Sequence, residues 1–283
     1  MRHVAIAWLL LVGQAVVPAV PTEPIAALID AFRTHSVVAF GEGAHGNDQS
    51  KAFRLALLDN ARFQAIVNDI VVEGASASYQ EVADKFVSGG DVSEAAVRAA
   101  WENSTQTQLT LTGPGTTAFV RAVRTMNARL PRQRQLRVLL GDPPIDWSLI
   151  HSYDDYVKVL ALRDSFPADL IRREVLAKHR RALVMFGDMH FQRKQLFSNY
   201  DMSSAIAQTV VSLLESGPQA IKVFTVTSAT DTDLVALQPD VATWRVPSLA
   251  LLAARCLAAR TSRSFTRRLA PRRRSEWKIS STR

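Results

Sequence analysis

Short aliphatic runs rich in β-branched side chains recur along the chain, separated by longer amphipathic stretches. The runs are Val37–Gly41, Ile70–Glu73, Leu136–Gly141, Ala182–Gly187 and Ile221–Val226. Continuous apolar stretches of this length, bounded by glycine or polar positions, suit strands buried on both faces. Helical patterns fill most of the gaps: Pro24–Thr34, Asn47–Asn60, Ser76–Val87, Val92–Trp101, Thr116–Leu130, Tyr153–Lys178 and Ser203–Glu215. This alternation predicts an α/β fold with a mostly parallel central sheet flanked by helices. Asn103–Gly115, rich in Thr, Gln, Gly and Pro, reads as a loop placed over a site.

The two ends differ from the middle. Met1-Arg2-His3 precedes the apolar run Val4–Val17, and small residues follow as far as Ala19. That order has the form of a signal peptide over residues 1–19, and the run falls short of the ~20 apolar residues that span a bilayer. The expectation is an exported protein, periplasmic or secreted, with an uncleaved N-terminal anchor as the alternative. Residues 20–254 are then read as a single α/β domain.

Charge sharpens the C-terminal boundary. The 283-residue chain carries a formal net charge of +8. From Arg255 to Arg283 there are nine Arg and one Lys against Glu276, a net +9. The remaining residues hold 24 basic and 25 acidic side chains. Residues 255–283 therefore read as a basic tail, either a disordered arm able to bind polyanions or the product of a frameshift, and the near-neutral body implies no specific nucleic-acid partner. The single cysteine, Cys256, excludes an internal disulfide and a cysteine metal cluster.

Candidate chemistry collects where strands end. The exits read Gly41-Glu42-Gly43-Ala44-His45-Gly46, Glu73-Gly74, Gly141-Asp142 and Gly187-Asp188-Met189-His190. In a parallel sheet the carboxyl ends share one edge and ligands bind outside it, so these groups are expected to converge. Glu42, three residues before His45, is placed to orient its imidazole and raise its basicity, and His45 suits a general base. Glu73 closes an apolar run and suits acid–base work, a strand-end salt bridge being the alternative. His190 reads as an electrophilic donor or metal ligand. Asp142 and Asp188 are candidates for substrate binding, or else turn and cap residues. Arg163 would bind an anionic or carbonyl group of a substrate, unless it forms an ordinary solvated pair with Asp164. Asp146 reads as the start of a short helix at Trp147.

Several mechanisms are absent from the motifs. There is no Gly-x-Ser-x-Gly elbow, P-loop or Gly-x-Gly-x-x-Gly. A histidine-activated water is the simplest hydrolytic scheme. No cofactor is required by it, although His45, Glu42, Glu73 and His190 form a donor set that would suit Zn²⁺ or Mn²⁺.

The opening Gly41-Glu42-Gly43-Ala44-His45-Gly46 resembles that of erythromycin esterase-like proteins. Glu73, Leu140-Gly141-Asp142, Arg163-Asp164 and Gly187-Asp188-Met189-His190 are similar, in order, to that family's later motifs. The wider superfamily includes haem-uptake lipoproteins and Tiki-like proteases. The resemblance spans roughly Val37–Pro247 and implies an esterase-like fold that hydrolyses a small-molecule ester or lactone, with His45 as base and Glu73 and His190 assisting. Gly187-Asp188 stands where the esterases carry His-Asn, which is closer to the haem-uptake branch. A haem- or metal-binding exported protein without turnover is therefore the alternative.

Overall fold

The computed structural model describes residues 21–42, 45–46, 48–106, 114–193, 208–228 and 249. The expected signal peptide, the tail from Arg255 and most of the Asn103–Gly115 loop lie outside them. So do the start of the Ser203–Glu215 helix and the C-terminal apolar stretch apart from Leu249. Among the described residues no helix is long and apolar enough to cross a membrane.

Five strands, β1 (Val37–Gly41), β2 (Asp69–Ser76), β3 (Arg137–Asp142), β4 (Ala182–Phe186) and β5 (Phe224–Val226), form one sheet in the order β3-β2-β4-β1-β5. Every pairing is parallel, as the sequence predicts. All five residues of β1 and of β4 are buried, because both faces of the sheet are covered. Strand alternation divides the core in two. Val38, Phe40, Ile70, Val72, Val138, Leu140, Leu183 and Met185 face one way. They pack on α1 (Pro24–Ala31), α2 (Asp48–Leu58), α3 (Ala61–Ile66), α4 (Gln80–Val87), α5 (Glu94–Glu102) and α6 (Pro114–Asn127). Val37, Ala39, Val71, Leu139, Val184 and Phe186 face the other way, onto α8 (Ser165–Glu174) and α9 (Val210–Leu214). The result is a helix–sheet–helix sandwich.

The differences from the predicted elements have local causes. The helix expected over Asn47–Asn60 stops at Leu58, because Asn60 caps α3 by accepting from Arg62 N and Phe63 N. The helix expected over Tyr153–Lys178 is two, α7 (Tyr153–Leu160) and α8, with a turn over 161–164 between them. Pro167 lies in the first turn of α8, where no backbone N–H is needed. β4 ends at Phe186, one residue early, because Gly187 N–H turns aside to Glu73. β5 starts only at Phe224, since Val223 spends its backbone on Glu215 Oε1 and Arg193. β2 runs on to Ser76 through a bulge. Val72 faces Leu140 while Ser76 faces Asp142, and Gly74 between them takes φ +73°. Glu73 sits in that bulge.

Candidate active site

The strand order sets β4 between β1 and β2, so Glu42, Glu73 and Gly187–His190 meet at the carboxyl edge. Glu73 is the hub. Its Oε1 accepts from Arg163 Nη2 at 2.8 Å and Gln106 Nε2 at 3.2 Å, and lies 3.3 Å from His190 Nε2. Its Oε2 accepts from Gly187 N at 2.6 Å. Burial opposes the charge, but His190, Arg163 and the Gly187 amide together hold the carboxyl far below the ordinary carboxylate range.

His190 is clamped at both ring nitrogens. Nδ1 lies 2.9 Å from Asp164 Oδ1 and Nε2 faces Glu73, with Arg163 Nη2 3.4 Å away. The Phe186 ring stands edge-on to the imidazole at 5.5 Å between centroids. Burial disfavours the cation, yet the two carboxylates push the pKa up to about 9. His190 is therefore an imidazolium at neutral pH, donating from both nitrogens. Asp164 Oδ1 also accepts from Val210 N, tying His190 to the start of α9.

His45 is held differently. It lies in a turn after β1, half-buried, with Nδ1 3.6 Å from Glu42 Oε2. That distance is an ion-pair contact, too long for a hydrogen bond, and Nδ1 has no hydrogen-bond partner among the described residues. Glu42 itself is fixed by Arg54 Nη2 at 2.7 Å and Gly46 N at 3.3 Å. Burial works against its charge, while His45 and Arg54 bring its pKa down to about 2. The Glu42 carboxylate raises the His45 pKa above 6.5, against burial, and Glu73 adds to the rise. The other edge of the ring is pressed on Gly187. A Cβ built there would lie 3.2 Å from His45 Cε1, 3.4 Å from His45 Nε2 and 3.5 Å from Glu73 Oε2. Glycine at this position lets His45 and the hub carboxylate share one wall.

The remaining candidates surround this core. Asp142, buried at the end of β3, accepts from Thr105 N and Thr105 Oγ1, both at 2.7 Å, and lies 3.9 Å from Arg163 Nε. Burial pushes its pKa up, against those bonds. Its carboxylate anchors the chain leaving α5. Asp188 turns its carboxylate toward β1, into the space a Cβ of Gly41 would fill. Asp146 caps the short turn at Trp147, its Oδ1 accepting from Ser148 N at 2.9 Å.

Asp164, Arg54, Thr105 and Gln106 belong to the site as well. Asp164 and Arg163 do not pair with one another; the turn before α8 sends one to His190 and the other to Glu73. Arg54, Thr105 and Gln106 complete the carboxylate shell. Pro167 marks the turn that frees Asp164, whereas nothing in the local pattern singles out Arg54. Among the described residues no three His, Cys, Asp or Glu side chains are grouped so as to hold a metal ion. His190 turns both nitrogens to carboxylates, so neither offers a lone pair outward.

No family model and no curated protein matches the chain. Among solved structures it is similar to the type III effector HopBA1, at 18% identity and a TM-score of 0.44, covering 62% of this chain and 78% of that one.

Proposed function

We propose that the protein is a hydrolase in which His45 activates water for attack on an ester or lactone. One observation carries this reading: the two histidines at the sheet edge are in opposite states. His190 is saturated by Asp164 and Glu73, whereas His45 is half-exposed, with Glu42 beside Nδ1 on one edge and its Cε1–Nε2 edge set against Gly187 on the other. Nδ1–H directed at Glu42 leaves the Nε2 lone pair facing the Gly187 and Glu73 wall, where a water can be held. His45 takes the proton, Glu42 stabilises the imidazolium that forms, and the imidazolium returns the proton to the alkoxide that leaves as the acyl–oxygen bond breaks. Arg163 and the His190 imidazolium, each already paired with a carboxylate, temper the charge of a developing oxyanion only in part.

The raised His45 pKa makes the neutral, working form scarce at low pH and abundant above it. A screen of p-nitrophenyl esters and simple lactones against wild type and His45→Ala tests the proposal. Turnover lost by about 10²- to 10⁴-fold in the variant, with the fold intact, is the expected result. Equal rates would remove His45 from the mechanism.

A further inference from the structure

Ser104-Thr105-Gln106 carries the chain from α5 to Asp142 and Glu73 at the carboxyl edge of the sheet and is fixed at each residue. Ser104 Oγ donates to Trp101 O and accepts from Gln106 N, both at 3.1 Å. Thr105 grips Asp142 twice and its carbonyl accepts from Tyr156 Oη at 2.7 Å. Gln106 is 2% exposed. Its amide nitrogen donates to Glu73 Oε1, and because an ionised carboxylate only accepts, the amide cannot be reversed. The amide oxygen is thereby left buried, with no hydrogen-bond partner among the described residues. A buried acceptor without a donor is costly, so this one is poised for a donor that arrives with a ligand.

The surrounding charges restrict what that ligand is. Arg54 pairs with Glu42, Arg163 with Glu73 and His190 with Glu73 and Asp164. Each of these cations already has its carboxylate, and an anionic substrate group would meet the carboxylates as well. We propose that Gln106 is a specificity-determining residue whose Oε1 accepts a hydrogen bond from a hydroxyl of an uncharged substrate. This rests on the hydrolase reading and names its substrate class, hydroxylated neutral esters or lactones. A site built to bond a hydroxyl discriminates against the analogue that lacks it.

The test compares methyl butyrate with methyl 2-hydroxybutyrate and methyl 3-hydroxybutyrate by pH-stat, on wild type and Gln106→Met. Wild type should favour a hydroxy ester by about tenfold or more in kcat/KM. Gln106→Met, similar in shape but without the amide, also loses the donor to Glu73 and should slow all three esters, but the hydroxy-to-plain ratio of kcat/KM should collapse toward one. In parallel, binding of butyramide and its 2- and 3-hydroxy derivatives is followed through the His45 ring resonances, a readout that needs no turnover. Hydroxyl-selective binding abolished in Gln106→Met, without hydrolysis of any ester, would keep the Gln106 assignment and discard the hydrolase. Absence of hydroxyl preference in wild-type turnover and binding, as when a bound water supplies the donor, overturns the proposal without reference to any variant. A preference that survives Gln106→Met also overturns it.

Discussion

Asp164 Oδ1 lies 2.9 Å from His190 Nδ1, and this contact exists because the helical chain breaks just before α8. The break converts an acid that could have been solvated into the group that fixes the charge and orientation of His190.

Asp164→Asn should therefore lower the His190 pKa below its value of about 9, leaving Glu73 as the remaining carboxylate partner. A folded-state pKa raised above the unfolded value of ~6.5 stabilises the fold fully below that pH, and the benefit is lost as pH rises through about 9. His45, also raised, acts in the same direction. Thermal melts of wild type should fall between pH 6 and 9.5, and the decline should be shallower in Asp164→Asn. At pH 6 the variant should be less stable by about 1.5–3 kcal/mol, the worth of a hydrogen bond to a charged group. NMR titration of His190 checks the shift directly.

Glu42→Gln should return the His45 pKa toward 6.5, because the carboxylate is the main cause of its rise. The ascending limb of the pH–rate profile should then move to lower pH. At the acid end the signs reverse. Glu42, depressed to about 2, contributes stability above its unfolded pKa of 4.5 that is lost as pH falls through about 2. Wild type should lose stability over that acid range, and Glu42→Gln should lose less. Urea melts between pH 2 and 6 measure the difference.

Gly187→Ala separates the site from the fold. The backbone at φ −59° and ψ 146° accepts alanine without strain. The added methyl, however, falls 3.2 Å from the His45 ring and 3.5 Å from Glu73. Glu73 is held by several partners and His45 is not, so the ring should move. Turnover should fall by about 10- to 100-fold through lost alignment. Stability should change by less than about 1 kcal/mol, the lower entropy of the unfolded chain offsetting part of the crowding.

Gly41→Ala should act on the fold instead. Its Cβ would overlap the Asp188 carboxylate and approach Val226 O to 3.0 Å where β1 ends beside the edge strand β5. A loss of about 1–3 kcal/mol is expected by denaturant titration, with β1 displaced from β5.

The sheet was legible in the sequence because its strands are short, apolar at their centres and bounded mostly by glycine or charged residues. That pattern has few alternatives when both faces are buried. The same boundaries exposed Glu42, His45, Glu73 and His190, which the strand order gathers at one edge. The pairings within that group were not legible. Glu42 and His45 are close in sequence, but Arg54 reaches Glu42 from a helix whose pattern reads only as amphipathic. Arg163 and Asp164 resemble a solvated pair until the turn before Pro167 separates their partners. Gln106 fell within a stretch read as a loop over a site, yet only the Thr105–Asp142 clamp shows which part of it enters.

The most direct test of the account is the pKa of His45, measured by NMR on the free protein and set beside the pH dependence of kcat/KM for an ester that the protein hydrolyses. The account predicts one value above 6.5 for both, an ascending limb that is lost in His45→Ala, and a His190 that remains protonated to about pH 9. A rate limb that ignores the His45 titration, or a His190 that is neutral at pH 7 while His45 carries the charge, would contradict it.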